Sequence, residues 1–298
     1  MICWMFPGQP LRRDYQFPAS TGSDDIRALC LETTGFDPVD WNDTGSLASE
    51  HVRLQLYGTA ASISRSRYLW SENQRPDIVL EHSLGIYAAL AACGSIRDRD
   101  ALEITARVGT ALAGMSRDSS YALGCIVGLD REPLEEAVTN HGVYVANYNT
   151  RSHHLLAGEY QRIVSVMEEC TAAGAFSVSL FDCDAPLHTP LLEEAAGTLQ
   201  GVFSDYHYNE PTVPLLNHID QQRLSASRIA DFLLEELLNP VWWLSSYSAA
   251  RALGASKFVE VGSGDALKKF NRWIDSQGGG MTPEVIQQGR RFNPRPPT

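Results

Sequence analysis

Residues 77–94, DIVLEHSLGIYAALAACG, decide the fold that this sequence predicts. An apolar run ends at Glu81, a short turn carries Ser83 and Gly85, and an alanine-rich helical pattern follows. A buried strand that turns sharply into a helix exposes the side chain on the turn at the carboxyl edge of a sheet. The pattern therefore predicts an α/β fold with Ser83 as a candidate nucleophile. Glu81 stands where such a turn normally has a glycine.

The composition is that of a globular protein and excludes two classes of function. The chain has 298 residues, 44% of them hydrophobic and 20% charged, and its formal net charge is −12. No apolar run approaches the about 20 residues that span a bilayer, and the acidic balance disfavours binding to nucleic acid or to an anionic membrane. The six cysteines are scattered without a CxxC pair, which indicates neither a zinc site nor a disulfide framework. The apolar start is too short for a signal peptide, so a cytoplasmic location is expected.

Short apolar runs alternate with helical patterns along the chain. Five of them have the length and composition of buried strands, namely residues 1–6, 77–80, 176–181, 212–216 and 257–262. Because helical patterns separate them, a parallel sheet is predicted.

A block with the order β-α-β-β-α-β interrupts this alternation and predicts a small ferredoxin-like unit inserted into the larger one. The expected organisation is a large α/β subdomain over 1–119 and 188–276 and a ferredoxin-like subdomain over 120–187. Residues 277–298 include a run of three glycines at 278–280, followed by prolines and arginines, which is typical of a flexible C-terminal tail.

A catalytic serine needs exposure on a tight turn, a base that accepts its proton, and amide donors for the oxyanion. The turn around Ser83 meets the first need. The main-chain amide of Leu84, at the start of the following helix, is the expected oxyanion donor. Taken alone, the tetrapeptide HSLG at 82–85 fits an ordinary surface serine in a turn equally well.

Four further motifs, one before the Ser83 turn and three after it, favour the catalytic interpretation. They are FPGQPLR at 6–12, ANYNTRSH at 146–153, PLHTPLL at 186–192, and PVWW at 240–243 followed by FVEVGSG at 258–264. Together with EHSLGIY at 81–87, they resemble the motifs of the malonyl-CoA:acyl-carrier-protein transacylase family, which includes polyketide synthase acyltransferases. The resemblance covers residues from about 4 to about 275 and implies an α/β-hydrolase-like large subdomain with the ferredoxin-like insertion.

The resemblance also implies roles for individual residues. Ser83 would attack an acyl thioester and His188 would act as general base. The main-chain amides of Gln9 and Leu84 would form the oxyanion hole, and the main-chain carbonyl of Glu236 would orient His188. Two further positions match residues that line the family's pocket, Gln55 and Asn147.

The sequence departs from the family pattern at several pocket positions. Members that handle malonyl groups carry an arginine before Gly109, where this chain has Val108; Arg107, one residue away, is rotated about 100° around the helix. Further changes predicted to reshape the pocket are Leu187, Ile86 and Glu81. An unpaired carboxylate in a partly buried pocket is unfavourable, so the acyl group is predicted to be neutral or amine-bearing rather than malonyl.

The resemblance implies transfer of an acyl group from a CoA or carrier-protein thioester to an acyl carrier protein through a seryl acyl-enzyme. No bound cofactor or metal is expected, because phosphopantetheine is carried by CoA or by the carrier protein. Basic side chains are available for an acidic carrier, namely Lys257, Lys268, Lys269, Arg272, Arg290 and Arg291. Two alternatives remain open at this point, an acyl-thioester hydrolase and a non-catalytic scaffold that binds carrier proteins.

Overall fold

The computed structural model describes residues 1–10, 17–18, 22–41, 47, 49–115 and 120–277. The strands, in chain order, are β1 (Ile2–Phe6), β2 (Ile78–Glu81), β3 (Tyr121–Val127), β4 (Tyr144–Tyr148), β5 (His153–Glu159), β6 (Ser177–Cys183), β7 (Leu215–Leu216) and β8 (Lys257–Glu260). The α-helices are α1 (Ser23–Thr34), α2 (Glu50–Ser71), α3 (Gly85–Ala92), α4 (Asp98–Met115), α5 (Arg131–His141), α6 (Tyr160–Ala172), α7 (Ala196–Ser204), α8 (Ala226–Leu238), α9 (Trp243–Ala252) and α10 (Ala266–Ser276), and a 3-10 helix spans Pro190–Ala195. The predicted tail lies outside the described residues, except for its first residue, Gln277.

Four strands form a parallel sheet in the order β7-β2-β1-β8. Side chains of β1 alternate between its faces: Trp4 and Phe6 pack in the larger core, whereas Cys3 and Met5 pack with Trp243 of α9. Both faces are buried, which explains why the strand sequences are continuously apolar. The predicted parallel sheet is therefore confirmed for four of the five runs.

The second sheet is antiparallel, in the order β4-β5-β3-β6, and α5 and α6 supply the helices of the β-α-β-β-α-β unit. This strand order is that of a ferredoxin-like unit, and the predicted fold class is confirmed. The strand predicted at residues 176–181 is present as β6, but the prediction that it is buried is wrong. Strand β6 pairs only with β3 at the edge of the sheet, its side chains are exposed or half-buried, and Phe176 before it is 86% exposed.

The chain turns from β2 into α3 within three residues, and this turn depends on a glycine. A β-carbon on Gly85 would lie 2.3 Å from the main-chain oxygen of Phe6, so a larger residue cannot pass the end of β1. The glycine that allows strand and helix to approach is Gly85, and position 81 can therefore hold a glutamate. Within the described ranges, no helix combines the length and apolarity that a membrane crossing requires.

We predict that Gly85→Ala lowers the free energy of unfolding by at least about 2 kcal/mol, because the clash is with main-chain atoms that cannot rotate away. The matched control is Gly201→Ala on α7, where a β-carbon meets no atom within 4 Å. That change should stabilise the protein by up to about 1 kcal/mol through helix propensity. Denaturant unfolding of both variants measures the difference, and equal unfolding midpoints would contradict the prediction.

Candidate active site

Ser83 lies on the turn between β2 and α3 in a left-handed conformation, with a φ of 54°. Such a conformation is costly for a residue other than glycine and persists only where the surrounding structure enforces it. Here the His82 N–H donates to the Phe6 carbonyl at 3.0 Å, and the Gly85 N–H donates to the His82 carbonyl at 3.1 Å. The turn is therefore held at both ends, and the Ser83 side chain is presented to the space between the two sheets.

His188 follows the antiparallel unit and is also left-handed, with a φ of 62°. Its Nε2 lies 2.6 Å from Ser83 Oγ, and its Nδ1 lies 2.7 Å from the main-chain oxygen of Glu236. A carbonyl oxygen only accepts hydrogen bonds, so Nδ1 carries the proton and Nε2 presents its lone pair to the Ser83 hydroxyl. This is the tautomer that a general base requires.

The carbonyl groups that hold His188 belong to the last turn of α8. Because α8 ends at Leu238 and Pro240 cannot continue it, its final carbonyls have no partner within the helix. The Glu236 carbonyl accepts from His188 Nδ1, and the Leu237 carbonyl accepts from the His188 main-chain N–H at 2.8 Å. The negative end of the helix therefore faces the imidazole.

Burial above all, together with the neighbouring imidazoles of His218 and His82, lowers the pKa of His188 to about 3, and the hydrogen bond to Glu236 opposes the shift. The imidazole is consequently neutral at pH 7 and able to accept the Ser83 proton. Protonation of this ring is a charge change in a buried site, where nearby negative groups have large effects.

Two adjoining cavities lie near this pair, and the pair lines the first of them. The first, about 450 Å³, is lined by Ser83 and His188, by residues of the antiparallel sheet and α10, and by the loops that follow β1 and β8. The second, about 330 Å³, extends towards α2 and β6. The residues that line both are Gln9, Leu123, Phe181 and Leu187. The two cavities therefore adjoin through these four residues.

The structure brings some predicted pocket residues together here. Gln9 and Leu187 line both cavities, Asn147 lines the first, and Gln55 lines the second, where its Nε2 donates to Gln9 Oε1 at 3.1 Å. Leu84 directly follows Ser83 and precedes the first residue of α3, as the predicted oxyanion role requires. That role, and the same role for Gln9, remain predictions.

Three other predicted pocket residues, Ile86, Val108 and Glu81, line neither of these two cavities, which differs from the expectation. Ile86 and Val108 are 0% and 3% exposed because both pack into the large core. Arg107 points elsewhere, since its guanidinium donates to Asp205 Oδ2 at 2.5 Å and to the Tyr206 hydroxyl at 3.2 Å. Glu81 is buried behind the turn.

Glu81 does not point towards the cavity because it binds His218, which follows β7 on the neighbouring strand. Its Oε1 accepts the His218 main-chain N–H at 2.9 Å, and Oε1 and Oε2 lie 2.8 and 2.9 Å from His218 Nδ1. Burial raises the pKa of Glu81 well above its ordinary value, and the hydrogen bond from His218 opposes that shift. The unusual glutamate of the turn is thus a partner of a buried histidine.

Sequence reasoning missed both His218 and the contacts of His82. His82 Nε2 lies 2.9 Å from Asn149 Oδ1 and 3.3 Å from Asn147 Nδ2, which ties the turn to β4 and the loop that follows it. The available signal was topological, since both Glu81 and His218 stand at the carboxyl ends of apolar runs. Those ends meet at one edge when the strands pair in parallel.

His188, His218 and Glu236 also bring one polar atom each to within 4.8 Å of one another, a residue set that a divalent cation could use. Both ring nitrogens of His188 are already engaged, by Ser83 and by the Glu236 carbonyl. A cation there would have to displace one of these two contacts, so the cluster fits a role in proton transfer better.

The fold and the site together define an α/β protein with a serine–histidine pair between its two subdomains, and the comparisons with known proteins agree. Residues 37–267 match the family model described as acyl transferase domain. The chain is similar to malonyl CoA-acyl carrier protein transacylase of Escherichia coli strain K12, with 30% identity over 221 residues, which cover 72% of this chain and 71% of that protein. The chain belongs to the acyl transferase domain family.

Solved structures share the fold. An acyl carrier protein S-malonyltransferase from Vibrio cholerae O1 biovar eltor superposes with a TM-score of 0.83 at 22% identity, covering 97% of this chain and 99% of that one. A type II polyketide synthase malonyl-transacylase, solved in complex with its acyl carrier protein, superposes with a TM-score of 0.84 at 24% identity, covering 92% and 93%.

The buried histidines predict that the protein loses stability as the pH falls below about 6.5. Burial lowers the pKa to about 4 for His82, His153 and His154 and to about 3 for His188 and His218, so these rings gain protons only on unfolding. Three buried glutamates with raised pKa values, Glu81, Glu236 and Glu260, act in the opposite direction and offset part of the loss. We expect a net loss of about 1 to 3 kcal/mol per pH unit between pH 6.5 and 4.5.

Unfolding by denaturant at several pH values measures this slope. His154→Gln removes one of these rings at a distance from Ser83 and should reduce the slope by up to about 1.4 kcal/mol per pH unit. His207→Gln, at an exposed histidine, should leave the slope as it is. A stability that is constant down to pH 4.5 would contradict the interpretation.

Proposed function

We propose that this protein transfers an acyl group from a CoA or carrier-protein thioester to the phosphopantetheine thiol of an acyl carrier protein through an ester on Ser83. The observation that carries the proposal is the hydrogen-bonded chain from Ser83 Oγ through His188 to the Glu236 carbonyl, in a cavity that adjoins a second one. No cofactor needs to be bound, because the pantetheine arm arrives with its carrier. The cytoplasmic location stays a prediction from the sequence.

The proposed chemistry has two symmetrical halves. Ser83 Oγ attacks the thioester carbonyl carbon while its proton passes to His188 Nε2, and the amides of Gln9 and Leu84 donate to the oxyanion. Collapse of this intermediate breaks the carbon–sulfur bond, and His188 returns the proton to the departing thiolate. The thiol of the second carrier then loses its proton to His188 and attacks the seryl ester, which regenerates Ser83.

An acyl carrier protein is the proposed partner for two reasons. The Escherichia coli relative is named for transfer to such a carrier, and one structural neighbour is a complex of a transacylase with its carrier. Helix α10 supports the same partner, since Phe270 lines the first cavity while the side chains of Lys268 and Arg272 are exposed on the same helix. Basic side chains beside the entrance favour approach of an acidic carrier.

A neutral or amine-bearing acyl group is proposed in place of malonyl. Arg107, one residue from the position at which malonyl enzymes carry an arginine, is paired with Asp205 and lines neither cavity. The described lining of the second cavity includes three carboxylates, Glu50, Asp182 and Asp184. Carboxylates repel a free malonyl carboxylate and attract an ammonium group.

Ser83→Ala should abolish the acyl-enzyme, and His188→Gln should slow its formation by about 10² to 10⁴, the usual contribution of a general base. Intact-mass spectrometry after incubation with acyl-CoA detects the ester directly. The same assay with and without holo-carrier separates the candidate functions. Rapid release of free acid regardless of carrier would support a hydrolase instead, and absence of any acyl-enzyme on the native protein would support a carrier-binding scaffold.

A panel of malonyl, acetyl, longer-chain and aminoacyl thioesters tests the acyl preference. We expect malonyl-CoA to load Ser83 more slowly than acetyl-CoA, because the described lining of the two cavities has no lysine or arginine to compensate its carboxylate. Arg107→Ala should leave the order of preference unchanged, since this guanidinium contacts Asp205 outside the cavities. Fast loading by malonyl alone, or its loss in Arg107→Ala, would refute the argument.

A further inference from the structure

A second histidine–carboxylate pair lies directly behind the catalytic histidine. Glu81 and His218 are joined by contacts of 2.8 and 2.9 Å, and both side chains have 0% exposure. The His218 ring stands edge-on to the His188 ring, with centroids 5.9 Å apart. Glu81 comes from β2 and His218 from the end of β7, so the pair exists because these strands are parallel neighbours.

The side chain of Glu236 completes this group. Its Oε2 lies 3.7 Å from His188 Nδ1, and the side chain is 1% exposed. Within the described residues, neither Glu236 Oε2 nor His218 Nε2 has a hydrogen-bond partner, although both are fully buried. Buried polar atoms without partners are costly and call for an explanation. These two stand beside the one imidazole that must gain and lose a proton during acyl transfer.

We propose that Glu81, His218 and the side chain of Glu236 are positioning residues that hold a negative charge behind His188 and strengthen it as a base. The inference rests on the proposed acyl transfer. When Ser83 Oγ bonds to the thioester carbon, its proton moves to His188 Nε2 and the ring becomes positive. A carboxylate nearby stabilises that imidazolium more than the carbonyl dipole alone can.

The surrounding charges support a shared proton within this group. Burial raises the pKa of Glu236 well above its ordinary value, and the charge of Glu81 raises it further. The two carboxyl groups therefore compete for ionisation, and the imidazole of His218 lies beside both Glu81 and His188. The remaining titratable groups that face them are His82 on the turn and the Tyr87 hydroxyl on α3, and burial keeps both neutral by shifting their pKa values.

A serine-directed fluorophosphonate tests the proposal, because its rate of reaction with Ser83 reports the basicity of His188 without any acyl substrate. Glu81→Gln, His218→Gln and Glu236→Gln should each reduce the labelling rate at pH 7.5 by about tenfold, a part of the contribution of a general base. They should also move the acid limb of the rate–pH profile to lower pH, since removing a nearby negative charge lowers the pKa of an imidazole.

The matched control is Glu260→Gln. Glu260 is 4% exposed, and burial likewise raises its pKa, but its carboxylate accepts from the Leu267 and Lys268 amides at the start of α10. This variant should keep the native profile. Thermal unfolding of every variant shows which ones fold, and His218→Gln and Glu236→Gln carry the test if Glu81→Gln does not.

The proposal is overturned if folded Glu236→Gln and His218→Gln label within twofold of the native rate with an unchanged acid limb, or if Glu260→Gln falls as far as they do. A double variant of Glu81→Gln and Glu236→Gln should lose less than the product of the single effects, because both act on one proton. If no thioester loads Ser83 while the labelling differences persist, the proposed function fails and this inference stands. If thioesters load Ser83 normally but the variants are labelled at the native rate, the inference fails and the proposed function stands.

Discussion

The last turn of α8 is the constraint on which the site depends. Its carbonyl groups at Glu236 and Leu237 have no partner within the helix, and one histidine, His188, satisfies both through its ring and its main chain. The histidine adopts a left-handed conformation there, with a φ of 62°. In return, the ring is locked in the tautomer that accepts a proton from Ser83. The carbonyl groups at the end of any helix need hydrogen-bond donors, and here that need orients the imidazole of His188.

The parallel sheet supplies the other half of the geometry. Strands β1 and β2 end side by side, and the turns that follow them pack so closely that a β-carbon on Gly8 would lie 2.8 Å from His82 Nδ1. This close approach brings Gln9 beside Ser83 along the cavity wall. The turn also has no room for a side chain at position 85. The residue that must be a glycine is therefore Gly85 and not residue 81.

In the proposed mechanism, the negative charge near His188 is shared by several buried groups rather than held by one carboxylate. A buried group next to the imidazole of His188 consists of Glu81, His218 and Glu236. Burial opposes a charge on any one of these three side chains. Such a group is tolerable only when its members share protons, because an isolated buried charge is much more costly than a paired one. The polar interior therefore links the edge of the sheet, the end of α8 and the nucleophile into one unit.

The sequence by itself determined the class of fold and the chemical pair. Strand length and helix spacing are local properties, so the inserted antiparallel unit and the turn that carries Ser83 could be predicted. The pairing of Ser83 with His188 was predicted from ordered motifs that resemble those of a known family. The burial of β6 was predicted wrongly, because an edge strand and a central strand of similar composition look alike in sequence. What only the tertiary structure decided is the partner of each side chain. Glu81 and His218 are 137 residues apart and meet because β2 and β7 pair in parallel, whereas Arg107 is drawn away by Asp205 on a separate element. Contacts of this kind depend on strand order and helix packing in three dimensions, which no local pattern encodes.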